Sequence, residues 1–326
     1  MTTAEILEQL PRLSALIVGD VCLDRWCLYD PAEAEPSRET GIPRIAVVET
    51  EVTAGAGGTV ANNLAAMGVG RVAVAGVSGC DGHGHELRQA LAARGISTDR
   101  LVASPEIQTF TYTKLIRSDT GVEDLPRVDY IHDRAIEPAV ERQILDHVQS
   151  SVEDFDVIIV ADQAETNRGG VVTPAVRDLL ADLASNLQQV FIADSRRRIA
   201  EFRGLVLKPN QQEAEQASRQ LFGKIDYEAL RLHTRSRLLA ITHGGDGVLL
   251  VNEERQEWVP ARKIARPVDI CGAGDSFCAG MAVALAVSGN AAEAARFGNL
   301  VASITIMKPG TGTASPQELL DADTRD

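Results

Sequence analysis

Six short apolar runs set the architecture open to this chain: residues 15–19, 72–76, 157–160, 190–193, 205–207 and 238–241. A strand that is apolar on both sides is buried on both faces, which is the mark of a parallel sheet covered by helices. Helical patterns fall between the runs, at about 60–67, 84–94, 136–149, 172–187, 211–221, 226–235, 276–288 and 291–307. Strand–helix alternation of this kind predicts an α/β fold, a three-layer α/β/α sandwich, here as a single domain over 1–326. Two excursions break the rhythm, at about 25–53 and 108–131. Each carries a β-type run, Arg44 to Val52 and Thr109 to Ile116, with prolines or glycine around it and no helix. The two excursions are expected to pair with each other as a small separate sheet. In open α/β sheets ligands bind beyond the carboxyl ends of the strands, so that sheet is placed to serve as a lid.

The 326 residues carry a formal net charge of −14. This argues against nucleic acid or an anionic membrane as the main partner, since both reward a basic surface. An anionic substrate therefore needs a locally built site. The five cysteines lie at 22, 27, 80, 271 and 278 with no Cys-x-x-Cys among them, which reads as reduced thiols in a cytoplasmic protein. The longest apolar run, around 277–287, is too short to span a bilayer. His83-Gly84-His85 has no third ligand at useful spacing and reads as a polar turn.

Five short motifs carry candidate chemistry. Gly272-Ala273-Gly274-Asp275 opens an apolar helix. Free N–H groups at such a start form an anion site, and Asp275 is either a helix cap or a base beside that site. Asp24 follows Gly19-Asp20 and is either a solvated loop residue or an acceptor for neighbouring sugar hydroxyls. Gly55-Ala56-Gly57-Gly58-Thr59 precedes a helix. It is either a structural turn or a loop that lets a ligand approach the backbone, and Val60 spoils a dinucleotide fingerprint. Asn210 and Glu213 read as a capping box, or as outer-shell partners of Mg²⁺. Thr242 to Gly247 joins two apolar strands as a hairpin turn. No P-loop and no Gly-x-Ser-x-Gly elbow occurs.

Taken in order, these motifs resemble the ribokinase-like (PfkB-type) sugar kinases along the whole chain. Within that family the chain is similar to the kinases of ADP-heptose synthesis, which phosphorylate D-glycero-β-D-manno-heptose 7-phosphate at O1. The similarity rests on Gly19 to Trp26, Ile42-Pro43, Thr113-Lys114-Leu115 with Arg127-Val128-Asp129, and Lys308-Pro309-Gly310-Thr311. The resemblance implies an ATP-dependent phosphotransferase acting on a sugar or sugar-phosphate hydroxyl. It makes Asp275 the general base and the amides of Gly272, Ala273 and Gly274 the anion hole. Asp24, Gly57, Gly58, Thr59 and Asn63 would hold the sugar. Asn210 and Glu213 would organise Mg²⁺ through water. Thr242, Gly244 and Gly247 would flank the ATP phosphates, with Asn299 near adenine. A monovalent cation, K⁺, would lie among Asp269, the Cys271 carbonyl and the loop around Gly310, and a homodimer would form through the lid.

Three departures touch the acceptor side. Ala56 and Thr59 replace a family Gly and Asn. Asp162-Gln163-Ala164-Glu165-Thr166 stands for Asp-Tyr-x-Lys-Gly, and Asp194-Ser195-Arg196-Arg197-Arg198 for Asp-Pro-Lys. Two sugar-phosphate lysines are therefore missing, and the arginine run is the available replacement. Two other readings compete: a non-catalytic sugar or nucleotide sensor on this fold, and a nicotinamide-dependent oxidoreductase. An alcohol nucleophile becomes acidic only as its bond to phosphorus forms, so Asp275 needs no raised pKa to act as base.

Overall fold

The computed structural model describes residues 1–164, 166 and 169–324. Thirteen strands run through the described residues: β1 (Ser14–Gly19), β2 (Val21–Tyr29), β3 (Val47–Ala56), β4 (Arg71–Gly79), β5 (Ser97–Ser104), β6 (Thr111–Arg117), β7 (Val128–Tyr130), β8 (Val157–Asp162), β9 (Val190–Ser195), β10 (Val206–Leu207), β11 (Leu238–Thr242), β12 (Gly247–Asn252) and β13 (Gln256–Pro260). Nine form the main sheet, in the order β13-β12-β11-β10-β9-β8-β1-β4-β5. It is parallel from β11 to β5, and β12 and β13 add an antiparallel edge.

Period-two alternation along each central strand feeds two cores. Ile17 and Ile159 face the layer made by helices Gly57–Ala66, Ala273–Ser288 and Ala291–Thr305, while Leu16, Val18, Ile158 and Val160 face helices Pro138–Ser151 and Pro174–Asn186. All six central side chains are fully buried. Burial of this kind stabilises by about 1.5–3 kcal/mol per large aliphatic side chain. The sandwich expected from the apolar runs is the one observed.

The second sheet differs in detail from the expected pair. Its order is β3-β2-β6-β7. The two excursions do pair, through Arg25–Tyr29 of β2 and Thr113–Arg117 of β6, while their two β-type runs do not meet directly. They flank β2, which pairs antiparallel with β3 and parallel with β6. Asp24 therefore sits in a strand, opposite Thr53 and Tyr112, rather than in a loop. The helix after the Gly-rich stretch also begins earlier than periodicity suggests, at Gly57.

Candidate active site

The Gly272–Asp275 turn forms the wall between two cavities. On one side, a polar cavity is lined by Asp24, Thr59, Lys114, Arg127, Gly272 and Asp275, with Cys22, Arg25, Trp26, Tyr112, Gln163, Arg196 and Thr311 completing it. On the other side, an apolar cleft is lined by Thr242, Gly244, Gly247, Ala273, Gly274, Phe277 and Asn299. Gly272 makes the turn possible. It takes φ +74°, and a Cβ there would sit 3.1–3.2 Å from methyls of Thr59 and Thr311. The helix begins at Ala273, so Asp275 lies inside its first turn. The cap position is Gly272, and no side chain caps this helix end. The capping reading of Asp275 is thereby removed.

Electrostatics at this turn are set by burial. The Asp275 carboxyl is pushed up to about 7 by desolvation, with the Asp194 charge adding to the rise and Lys208 and Arg196 opposing it. An unperturbed carboxylate would have served, yet seating the group at a closed helix start beside a second carboxylate raises it. Lys208 is almost fully buried and pairs with Asp194 at 2.9 Å. Its burial alone would lower its pKa, but the charge and hydrogen bond of Asp194 together with the nearby Cys278 and Glu213 raise it. Its ammonium lies 3.7 Å from where a Cβ on Gly274 would be, which puts positive charge under the turn. Asp24 is raised to about 6, mainly by burial.

The other motif residues divide. Asn210 and Glu213 form the capping box in full: Glu213 N–H donates to Asn210 Oδ1 at 2.9 Å, and Asn210 N–H donates to Glu213 Oε2 at 2.7 Å. Glu213 is nevertheless raised to about 7, by burial and then by the Asp194 charge. The charges of Asp194, Glu213 and Asp275 thus all act on one lysine, and no cluster of three or more metal-ligating side chains occurs among the described residues. Asn299 Nδ2 donates to the Pro260 carbonyl at 3.3 Å and flanks the apolar cleft.

Gly57, Gly58 and Asn63 do not reach the polar cavity. A Cβ on Gly57 would meet the Asp20 carbonyl at 2.8 Å, and one on Gly58 the Ala54 methyl at 2.5 Å. Asn63 is fully buried and donates to the carbonyls of Thr59 and Gly312. These three residues shape the wall from behind, and Ala56 and Thr59 present it. Asp20, at the end of β1, accepts from the Gln163 and Val171 amides and ties two loops together. Asp269 accepts from the amides of Cys271 (2.9 Å) and Gly310 (3.1 Å).

Of the arginine run, only Arg196 lines the polar cavity. Arg198 turns to Asp162, and Arg197 and Arg198 line a different cavity. Glu165, within the altered loop at 162–166, lies outside the described residues, as do Arg325 and Asp326 at the end of the expected domain. Sequence reasoning missed the roles of Lys208 and Asp194. The signal available was a Lys and an Asp at the ends of adjacent parallel strands, β10 and β9.

Comparison with known proteins agrees with this geometry. A model of the pfkB family carbohydrate kinases matches residues 20–318. The bifunctional protein HldE of Geobacter sulfurreducens is 34% identical over 318 residues, covering 94% of this chain and 62% of that protein. This chain therefore spans less than two thirds of that relative's length. Among solved structures, the ribokinase of Thermotoga maritima superposes with a TM-score of 0.70 at 21% identity, covering 96% of this chain and all of the other. The Arabidopsis thaliana ribokinase complexed with ribose and ATP gives 0.68 at 18%, covering 95% and 98%. A turn shared by two cavities, a ribokinase-like sandwich and a family match across nearly the whole chain lead to one conclusion: the chain belongs to the pfkB family of carbohydrate kinases, phosphotransferases that act on an alcohol group.

Proposed function

We propose that the protein is an ATP-dependent kinase for a phosphorylated sugar, with a heptose 7-phosphate phosphorylated at O1 as its acceptor. One observation carries the phosphorylated acceptor. In a chain of net charge −14, Arg25, Lys114, Arg127 and Arg196 all line the polar cavity that also holds Asp24 and Asp275. Cations gathered against the charge of the whole molecule imply an anionic ligand. The resemblance to heptose kinases and the 34% identity to an HldE protein point the same way.

In this reading Asp24 accepts hydrogen bonds from sugar hydroxyls, and Asp275 takes the proton of the attacking hydroxyl. The amides of Gly272 to Gly274, with Lys208 beneath them, hold the transferring charge. Thr242, Gly244 and Gly247 border the phosphate end of the nucleotide cleft, and Asn299 borders its apolar end. Mg²⁺, placed near Asn210, Glu213 and Asp194, neutralises phosphate oxygens when bound. The four-stranded sheet acts as a lid on a single kinase domain. Its apolar residues Val47, Val48 and Val128, with Ile45 just before β3, are exposed, which supports a homodimer formed through that sheet. All five cysteines are free, in keeping with the cytoplasm. No helix among the described residues is long and apolar enough to cross a membrane.

A coupled assay of ADP release tests the acceptor. Heptose 7-phosphate should outperform ribose, fructose and nucleosides in kcat/KM. Lys114→Met should raise KM for heptose 7-phosphate by roughly 10- to 10²-fold, as loss of a charge-assisted contact of about 1.5–3 kcal/mol predicts. Equal activity on unphosphorylated sugars would overturn the reading.

A further inference from the structure

Side chains two apart on a strand share a face. On β2, Val21 and Leu23 belong to the apolar core of the sandwich, while Cys22, Asp24 and Trp26 line the polar cavity. The antiparallel neighbour β3 sets Ala54 opposite Leu23 and Gly55 opposite Cys22. Directly opposed residues present their side chains to the same face. A side chain at 55 would therefore stand on the cavity face, beside Cys22 and Asp24. Gly55 leaves that space open, and the Asp24 carboxyl fills it. A Cβ built on Gly55 would sit 2.3 Å from Asp24 Oδ2, 2.5 Å from Cγ and 2.6 Å from Oδ1. Gly55 is not one of the glycines with positive φ. Its backbone does not call for glycine, and the carboxyl beside it does.

The Cys22 thiol closes this seat. It is buried and donates to Asp24 Oδ1 at 3.7 Å. Burial raises the Asp24 carboxyl, and this hydrogen bond is the first of the contacts that oppose the rise, ahead of the charges of Lys114, Arg127 and Arg196. A carboxylate accepts about four hydrogen bonds. The thiol thus fixes the rotation of the group and leaves room for the hydroxyls of an acceptor.

We infer that Gly55 and Cys22 are positioning residues for acceptor binding: the missing Cβ at 55 makes room for the Asp24 carboxyl, and the thiol at 22 fixes its rotation in the cavity wall. The inference rests on the reading of Asp24 as the partner of acceptor hydroxyls.

Two measurements test it. The first is the melting temperature of the free enzyme, for Gly55→Ala placed in wild type and in Asp24→Ala. With the carboxyl in place, the added methyl should lower the melting temperature by roughly 2–6 °C or abolish folding. In the Asp24→Ala background the same methyl should leave the melting temperature unchanged. An equal loss in both backgrounds would overturn the inference. So would a Gly55→Ala enzyme that melts like wild type, or one that fails to fold even without the carboxyl. The second measurement is steady-state kinetics with MgATP and the acceptor that supports the fastest ADP release, heptose 7-phosphate on the present reading. Cys22→Ala should raise KM for the acceptor about three- to tenfold and leave KM for MgATP at its wild-type value. Cys22→Ser, which keeps a donor at the same place, should bring KM for the acceptor back. A purely structural cysteine would not give a loss confined to one substrate and repaired by a hydroxyl. A wild-type KM for the acceptor in Cys22→Ala, or a Cys22→Ser enzyme as impaired as Cys22→Ala, would remove the thiol from the seat. Should another sugar prove the better acceptor, the proposed substrate fails while both measurements still decide on Gly55 and Cys22.

Discussion

Ala56 shows how a single residue records a departure from the family pattern. It stands where the family resemblance implies glycine, and its backbone takes a conformation that suits glycine, φ +54° and ψ −121°. That region strains any residue with a Cβ by about 1–3 kcal/mol. Restoring glycine removes the strain and gives back about 0.4–1 kcal/mol of unfolded-state entropy. Ala56→Gly should therefore raise stability by about 1 kcal/mol, read by urea denaturation with an unchanged slope. A loss of stability would mean that the methyl is needed as cavity wall. At this scale the sequence singled out Asp275 and Asp24 through motifs of fixed spacing, and both line the polar cavity. It misassigned Gly57, Gly58 and Asn63, because spacing places a residue near a helix start without saying which way it faces. The buried Lys208–Asp194 pair was hidden for another reason: its partners are 14 positions apart and meet only when β9 and β10 become neighbours.

At the scale of elements, the central strands were legible from their apolar runs, and β2 was not. Residues 21–29 mix Asp24 and Arg25 with Val21, Leu23 and Tyr29, since one half of the strand faces the sandwich and the other half lines the cavity. Function interrupts the alternation that would have announced a strand. β5 was also missed, as a polar edge strand whose run Ser97-Thr98-Asp99-Arg100 gives no apolar signal. The placement of β2 links the small sheet to the loop around Gly310. Trp26 lines the polar cavity and packs its indole against Gly310, whose amide is held by Asp269. Movement of the small sheet must then pass through this contact. The chain has two tryptophans, so a Trp258→Phe variant isolates Trp26. Its emission should shift when heptose 7-phosphate binds. An unchanged spectrum under saturating acceptor would place the acceptor elsewhere.

For the whole molecule, four carboxyls share an unusual state. Asp275 and Glu213 are raised to about 7, and Asp20 and Asp24 to about 6, each chiefly by burial. Their folded pKa values exceed the unfolded ones, so the folded state binds more protons between about pH 4 and 7. Stability then falls as pH rises across that window. This contribution is fully present below the unfolded values and lost above the folded ones. The melting temperature of the free enzyme should accordingly decline from about pH 5 to 7.5, and MgATP should offset the decline by binding only the folded state. A free enzyme that gains stability over that range would show that these groups are not raised. The acidic net charge and the α/β alternation were both legible at this scale. The gathering of Arg25, Lys114, Arg127 and Arg196 into one cavity was not, because they come from β2, β6, the segment before β7 and the end of β9.

The most direct test is the rate of ADP release from MgATP and heptose 7-phosphate by Asp275→Asn beside wild type, with ATP binding measured on the same samples. Losing the base at an intact turn should lower kcat by about 10²–10⁴-fold while ATP affinity and melting temperature stay close to wild type. A folded Asp275→Asn enzyme that turns over at the wild-type rate would contradict the account.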